Sequence, residues 1–397
     1  MSMPSENRNW TCSLPAALLL LAPFDILASL AMDIYLPVVP KMPEALGTSA
    51  TVVQLTLSLY MLILGAGQML FGPLSDRIGR RPVLLGGALL FAASSLLLAA
   101  TSSAALFLML RLLQATGASA ALVATFATVR DIYAVRPEGA VIYSLLGAIL
   151  SFVPALGPIA GALVADHVGW RAIFLLLSGL MVAAILNALR GWHETRPETS
   201  AKTPISIGTI LANAHFWTYT TGFSAAMGAF FVFFSTAPRV LIDHAGFSGL
   251  AFSLSFATAA AVMIISARFA GRFVARWGMA GSLARGMGML LVGALFLGIG
   301  EVLLAPSFVS FVLPMWIIAG GIVLTTAVTA NGALAAFGQT AGTAVALYFC
   351  VESLIVGCVG TLFVLLLDGN TAWPLAGYCT MMSIITLLAL RLIRARG

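Results

Sequence analysis

The chain has 397 residues, 60% hydrophobic and 9% charged, with a formal net charge of +6 and a mean hydropathy of +1.04. A soluble domain carries roughly 25% charged residues, so the composition excludes a water-soluble globular protein and leaves a polytopic membrane protein. The positive balance names no nucleic-acid partner, because Lys and Arg fall in short breaks between apolar runs, where they set orientation and meet lipid headgroups.

In chain order the apolar runs give twelve spans, at 14–38, 51–71, 83–101, 104–130, 140–163, 171–190, 213–237, 249–270, 283–304, 308–331, 341–367 and 373–393. Residues 1–13 carry one Arg but no cleavage pattern, so the first span is expected to be retained. The segment 191–212, rich in Pro, Ser, Thr and charge, divides the spans six and six. The expected fold is therefore an all-α membrane protein of two six-helix bundles, 1–190 and 213–397, joined by a cytoplasmic linker, 191–212. With the N-terminus inside, Arg77, Arg80, Arg81, Arg130, Arg136, Arg190, Arg196, Lys202, Arg272, Arg276 and the arginines of the C-terminus lie on the cytoplasmic side. Only Lys41, Arg171 and Arg239 then lie outside.

The first span holds Asp25 and Asp33, and the fourth holds Arg111. A charge inside hydrocarbon costs at least ~2.5–3.5 kcal/mol, so such groups pair, face a cavity or carry out chemistry. Eight residues on an α-helix separate the two carboxylates by ~12 Å and an angle of roughly 80°. Asp33 and Arg111 lie at similar depth and are expected to pair, either as a lock between the first and fourth spans or as part of a cavity wall. Asp25 lies near mid-span, where desolvation opposes the charged form of a carboxyl group, and is the stronger candidate for a proton carrier.

The second span adds Gln54 and Tyr60, and its end reads Gly72-Pro73-Leu74-Ser75-Asp76-Arg77-Ile78-Gly79-Arg80-Arg81. Gly271, Arg276 and Gly278 repeat Gly72, Arg77 and Gly79 of it 199 residues later, evidence for duplicated halves. Asp76 is placed to cap the following helix or attract its dipole. Gly147, Pro154, Gly157, Pro158 and Gly161 make the fifth span able to pack closely, with the other half as the expected partner, and to bend.

Phe230, Phe231, Phe233 and Phe234 in the seventh span offer a cavity wall, although consecutive residues cover all sides of a helix and some are expected to face lipid or core. Tyr35 and Asn331, with Gln54 and Tyr60, are sparse hydrogen-bonding groups of the kind that orient a ligand in an apolar pocket. Tyr348 and Glu352 sit in the eleventh span; Glu352 reads as a second proton site, a substrate contact or a helix-to-helix hydrogen bond. Cys12, Cys350, Cys358 and Cys379 have no metal-ligand spacing. The four histidines lie near span ends without a nucleophile, so neither a metal nor an enzyme is expected. No GxxxxGK[ST] phosphate loop occurs, and no cofactor is expected.

The segment 72–81 matches the loop signature of the major facilitator superfamily. Arg111 with Gln114, and Pro154-Ala155-Leu156-Gly157-Pro158-Ile159-Ala160-Gly161, resemble its drug:proton antiporter branch. The first span, Ala22-Pro23-Phe24-Asp25 through Met32-Asp33-Ile34-Tyr35-Leu36-Pro37, is similar to bacterial chloramphenicol and florfenicol exporters, as are Phe126 to Tyr133 and Asn370 to Pro374. Ala162 and Ala115 depart from the branch, which usually has glycine at both places.

The resemblance implies proton-coupled efflux of phenicols across the bacterial inner membrane by a monomer with both termini cytoplasmic. Its partners would be a small-molecule drug, protons and the bilayer. A broad multidrug antiporter that also exports lipophilic cations is the alternative within transporters, and a non-transporting membrane sensor is a third reading.

Overall fold

The computed structural model describes residues 14–133, 138–196, 207–337 and 341–396. Residues 1–13 with Cys12, as well as Arg136, Lys202 and the middle of the expected linker, lie outside the described residues. Among those described there is no β-strand. The first six long helices are α1 (Leu14–Asp33), α2 (Ala50–Ile78), α3 (Arg80–Ala100), α4 (Ala104–Tyr133), α5 (Glu138–Val168) and α6 (Arg171–Gly191). The helix α7 (Ala214–Pro238) precedes a 55-residue helix, Gly249–Leu303, whose arms on either side of Gly278 are α8 and α9. The last three are α10 (Leu313–Leu334), α11 (Ala341–Ile355) and α12 (Trp373–Arg396). These twelve helices are the expected spans, and the chain is a multi-pass membrane protein.

Local chemistry explains several ends. Ser49, Asn213 and Ser248 each accept a hydrogen bond from a first-turn N–H of α2, α7 and α8, the standard use of a short polar side chain at a helix start. The α1 helix gives way after Asp33 to a 3₁₀ turn, Leu36–Lys41, which holds Pro37 and Pro40.

The duplicated segments form hardly any loop. The α2 helix runs through Gly72, Pro73, Asp76 and Arg77 to Ile78, then turns on Gly79 alone (φ 109°). The expected connection at 271–282 is helical too, broken only at Gly278 (φ 66°, ψ 175°), the counterpart of Gly79 in the second half. Only glycine holds such backbone angles without strain, so the repeat is a helix–glycine–helix corner.

A side-chain network surrounds the first corner. Arg80 is buried; its guanidinium pairs with Asp76, meets Asp131 at 2.8 Å and donates to Ser75 at 3.0 Å. Asp76 therefore pairs with Arg80 instead of capping α3. The cap is Glu194, which follows α6: it accepts from the backbone N–H groups of Arg80 (2.8 Å), Arg81 (3.1 Å), Thr195 (3.0 Å) and Arg196 (3.0 Å). Burial opposes its charge, but these four donors, two of them at the N-terminus of α3, hold its carboxyl below the usual range. Arg81 donates to the Leu189 carbonyl at 3.2 Å, and Arg196 donates to the carbonyl of Arg77.

The helices α1–α6 pack on one another, as do α7–α12, and the two sets meet along α2 with α11 and α5 with α8. Among the described residues two hydrogen bonds cross between the sets. Arg239 donates to Gln54 Oε1 at 3.3 Å, and Ser253 to the Pro158 carbonyl at 2.9 Å. Both lie toward the end of the bundle remote from the Gly79 and Gly278 corners.

The fifth span packs against α8 of the other half as expected, but Gly157 and Gly161 themselves face α1 of their own set. A Cβ at Gly157 would lie 2.8 Å from Asp33 Cβ, and one at Gly161 would lie 2.9 Å from the Ile34 carbonyl carbon. Contact with the other set passes through the Pro158 carbonyl and the methyl of Ala162. That methyl meets α8 where Gly249 has no side chain, so the departure from glycine at 162 is accommodated across the seam.

Candidate functional site

The residues singled out in the first four helices come together around the end of α1. The last carbonyls of any α-helix lack an internal partner. Arg111, fully buried on α4, donates from Nη1 to the Ala31 carbonyl at 3.1 Å and to Gln114 Oε1 at 2.6 Å. A cation at a helix C-terminus also opposes the macrodipole favourably. Gln114 passes the network on, donating to Ser95 Oγ of α3 at 2.8 Å. The Arg111–x–x–Gln114 spacing thus places both side chains on one face of α4, one turn apart, with Gln114 fixing the guanidinium.

The expected ion pair between Asp33 and Arg111 is absent among the described residues. Tyrosine rings take its place: the Arg111 guanidinium carbon lies 4.5 Å from the Tyr60 ring centroid and 5.2 Å from that of Tyr35. Cation and ring faces attract, most strongly where water is excluded. Tyr60 also donates from its hydroxyl to the Ala28 carbonyl at 2.8 Å, so α2 and α4 grip α1 one turn apart. Nε and Nη2 of Arg111 have no hydrogen-bond partner among the described residues.

This geometry predicts that Tyr60→Phe costs only the hydroxyl, about 1 kcal/mol of stability. Tyr60→Leu removes the π face as well and fills less of the buried site, and should lose about 2 kcal/mol more. Unfolding midpoints of the purified variants check this, and equal losses would contradict the cation–ring contact.

Asp25 and Asp33 are 2% and 5% exposed, and neither makes a hydrogen bond or ion pair among the described residues. Gly157 packs directly beside Asp33. Two buried carboxyl groups without a fixed cation can exist neutral at far lower cost than ionised. Such groups fit proton uptake and release better than structural pairing.

The other candidates are dispersed. Gln54 sits at the remote end in the contact with Arg239, its Nε2 without a partner among the described residues. Phe231, Phe233 and Phe234 are buried and Phe230 half-buried; Phe233 stacks between Phe256 (5.1 Å) and Phe311 (5.6 Å). Three of the four therefore face the core, and Phe230 keeps part of its surface exposed. Asn331 is exposed at the corner end of α10. Tyr348 and Glu352 are buried together on α11, with the Tyr348 ring stacked on Phe223 at 4.9 Å.

Sequence reasoning missed Glu194, Ser95, Ser253 and the inter-set role of Arg239. Only Glu194 carried a local signal, a carboxylate directly after a span end and close to clustered arginines.

Comparison with known proteins accords with this architecture. The family model described as Major Facilitator Superfamily matches residues 22–361. A "Chloramphenicol resistance protein" of Pseudomonas aeruginosa is 51% identical over 386 residues, which cover 97% of this chain and 92% of that protein. More distant is "Multidrug resistance protein MdtL" of Escherichia coli (strain UMN026), 28% identical over 64% of this chain and 66% of its own length. The MdtL protein of Citrobacter koseri is 27% identical over the same shares.

Proposed function

This chain belongs to the major facilitator superfamily and is a transporter, not an enzyme; from that premise we propose that it exports phenicol antibiotics, chloramphenicol and florfenicol, in exchange for protons. The observation that carries the reading is the pair of buried, unpartnered carboxyl groups, Asp25 and Asp33, on the helix gripped by Arg111. Identity of 51% along nearly the whole chain to a protein named for chloramphenicol resistance supports the cargo. Phenicols are neutral, so an apolar site with few donors and acceptors suits them, while the carboxyl groups carry the charge that couples the cycle.

In this reading residues 1–190 and 213–397 are the two bundles that rock about the central site, and 191–212 is the cytoplasmic linker. Both termini and the arginine-rich corners lie in the bacterial cytoplasm, and the protein works as a monomer. The inter-set hydrogen bonds at the remote end then close the outside, and the arrangement faces inward. Deprotonated Asp25 favours drug entry from the cytoplasm, and a proton arriving from outside displaces the drug.

A host stripped of its own efflux pumps and expressing the chain tests this with both phenicols and a lipophilic cation, at two external pH values. Raised tolerance to the phenicols, greater at the more acid pH, is expected. Unchanged tolerance to both phenicols overturns the reading. Tolerance gained for the cation as well favours a broader multidrug antiporter, to which the MdtL similarity points.

A further inference from the structure

A second buried carboxyl group lies in the other set of helices, where the Arg111 network does not reach. Glu352 is 4% exposed in the middle of α11, and its one polar partner among the described residues is the neighbouring Ser353, whose Oγ donates to Oε2 at 3.0 Å. No Lys, Arg or His stands within ion-pair distance of it among those residues. The groups that face it are few. Tyr348 on its own helix and Tyr378 on α12 are near enough to interact electrostatically, and Cys379 adjoins the latter. Tyr378 spends its hydroxyl on the Ser224 carbonyl at 2.7 Å, and Tyr348 Oη, with Thr329 nearby, makes no close hydrogen bond among the described residues. Phe223 of α7 covers the Tyr348 ring, α10 brings Thr329 close to Tyr348, and the short helix Ile207–Leu211 carries no ionisable residue. Among the described residues only the Ser353 hydroxyl donates to this carboxyl group, and no cation balances a negative charge there inside hydrocarbon.

Its position couples it to the seam between the two sets. Ser353 is pressed onto Gly65 of α2 so closely that the glycine can carry no side chain. One turn further on, Gly357 packs on Leu62 of α2, where a Cβ would lie 3.2 Å from Leu62 Cδ1. From Val356 to Gly360 the helix widens into a π turn, a feature that recurs where helices deform in function. Closing the seam therefore shuts Glu352 away from water, and parting α2 from α11 at a widened, glycine-rich turn exposes it again.

We propose that Glu352 is a second proton-carrying site, loaded from outside when the α2–α11 seam parts and carrying its proton across while the seam is closed, so that each drug exchanges for more than the proton on Asp25. The inference rests on the proposed drug–proton exchange. It is the counterpart, in the second set of helices, of the carboxyl groups of α1.

Proteoliposomes with the membrane potential clamped at zero test it. The chloramphenicol gradient that just balances an imposed pH gradient gives the proton count, because the logarithm of the drug ratio rises with the pH difference by one unit per proton exchanged. The slope of Glu352→Gln is expected about one unit below that of the wild type, since the variant lacks one titrating group. Glu352→Asp, which keeps it, should retain the wild-type slope. A wild-type slope of one, or a slope unchanged by Glu352→Gln, overturns the proposal. Loss of transport in both variants assigns Glu352 to packing and overturns it as well. Wild-type liposomes in which no pH gradient alters drug flux would instead overturn the exchange itself.

Discussion

Replacing Asp25 by Asn should remove most of the proton-driven chloramphenicol uptake into everted vesicles while leaving equilibration of the drug down its own gradient intact. Asn matches the neutral acid in shape and cannot release a proton, so the variant removes the coupling and little else. Asp25 has no hydrogen bond or ion pair among the described residues for the change to break. The loss in accumulated drug should reach about 100-fold, the upper range of an ordinary coupling free energy of about 3 kcal/mol. Asp25→Glu, which restores a carboxyl group, should recover part of it. Full accumulation by the Asn variant would remove Asp25 from the mechanism.

Gly161→Ala should be nearly as damaging, for a purely steric reason. A methyl at 161 would point into the Ile34 peptide, 2.9 Å from its carbonyl carbon and 3.2 Å from its Cα. Backbone cannot swing aside as a side chain would, so α1 and α5 must part, at about 1–3 kcal/mol for such overpacking. The end of α1 that moves carries Asp33 and the Ala31 carbonyl held by Arg111, so transport should fall with stability. Gly271→Ala is the control: open space surrounds that position, and the better helix former should stabilise by up to ~1 kcal/mol. Equal melting temperatures for the two variants would contradict the close approach of α1 and α5.

Much of the fold was legible because its signals are local. Apolar length, Arg placement and the paired Gly79 and Gly278 corners each depend on residues within one helix or one turn. The connection at 271–282 was read as a loop because its arginines are polar, yet polarity does not end a helix; only the backbone at Gly278 does. The site was half legible. Asp25, Asp33 and Arg111 stood out as costly charges, but whether two of them pair depends on how far each helix is rotated and on where α1 ends. That end, after Asp33, turned the Ala31 carbonyl into the partner for Arg111. The docking of Glu194 onto Arg80, 114 residues away, and of Arg239 onto Gln54, 185 residues away, are tertiary events that no local pattern reports.

The network gives each motif a physical task. The Arg111–Gln114 pair holds the C-terminal end of α1 from one side, and the glycines of α5 let that end approach from the other. The Gly79 corner is fastened by Glu194. Asp25 and Asp33 are thus carried on a helix whose position is specified on several sides while their own carboxyl groups stay without a fixed cation. A proton carrier needs that combination: fixed geometry and an uncommitted charge.

Proton movement driven by drug, in liposomes containing only this protein and an internal pH indicator, tests the exchange most directly. With no ATP and no imposed pH gradient, chloramphenicol moving across the membrane should drive a pH change in the opposite direction, and Asp25→Asn should move drug with a greatly diminished change. Drug flux through the wild-type protein without any proton movement would contradict the account.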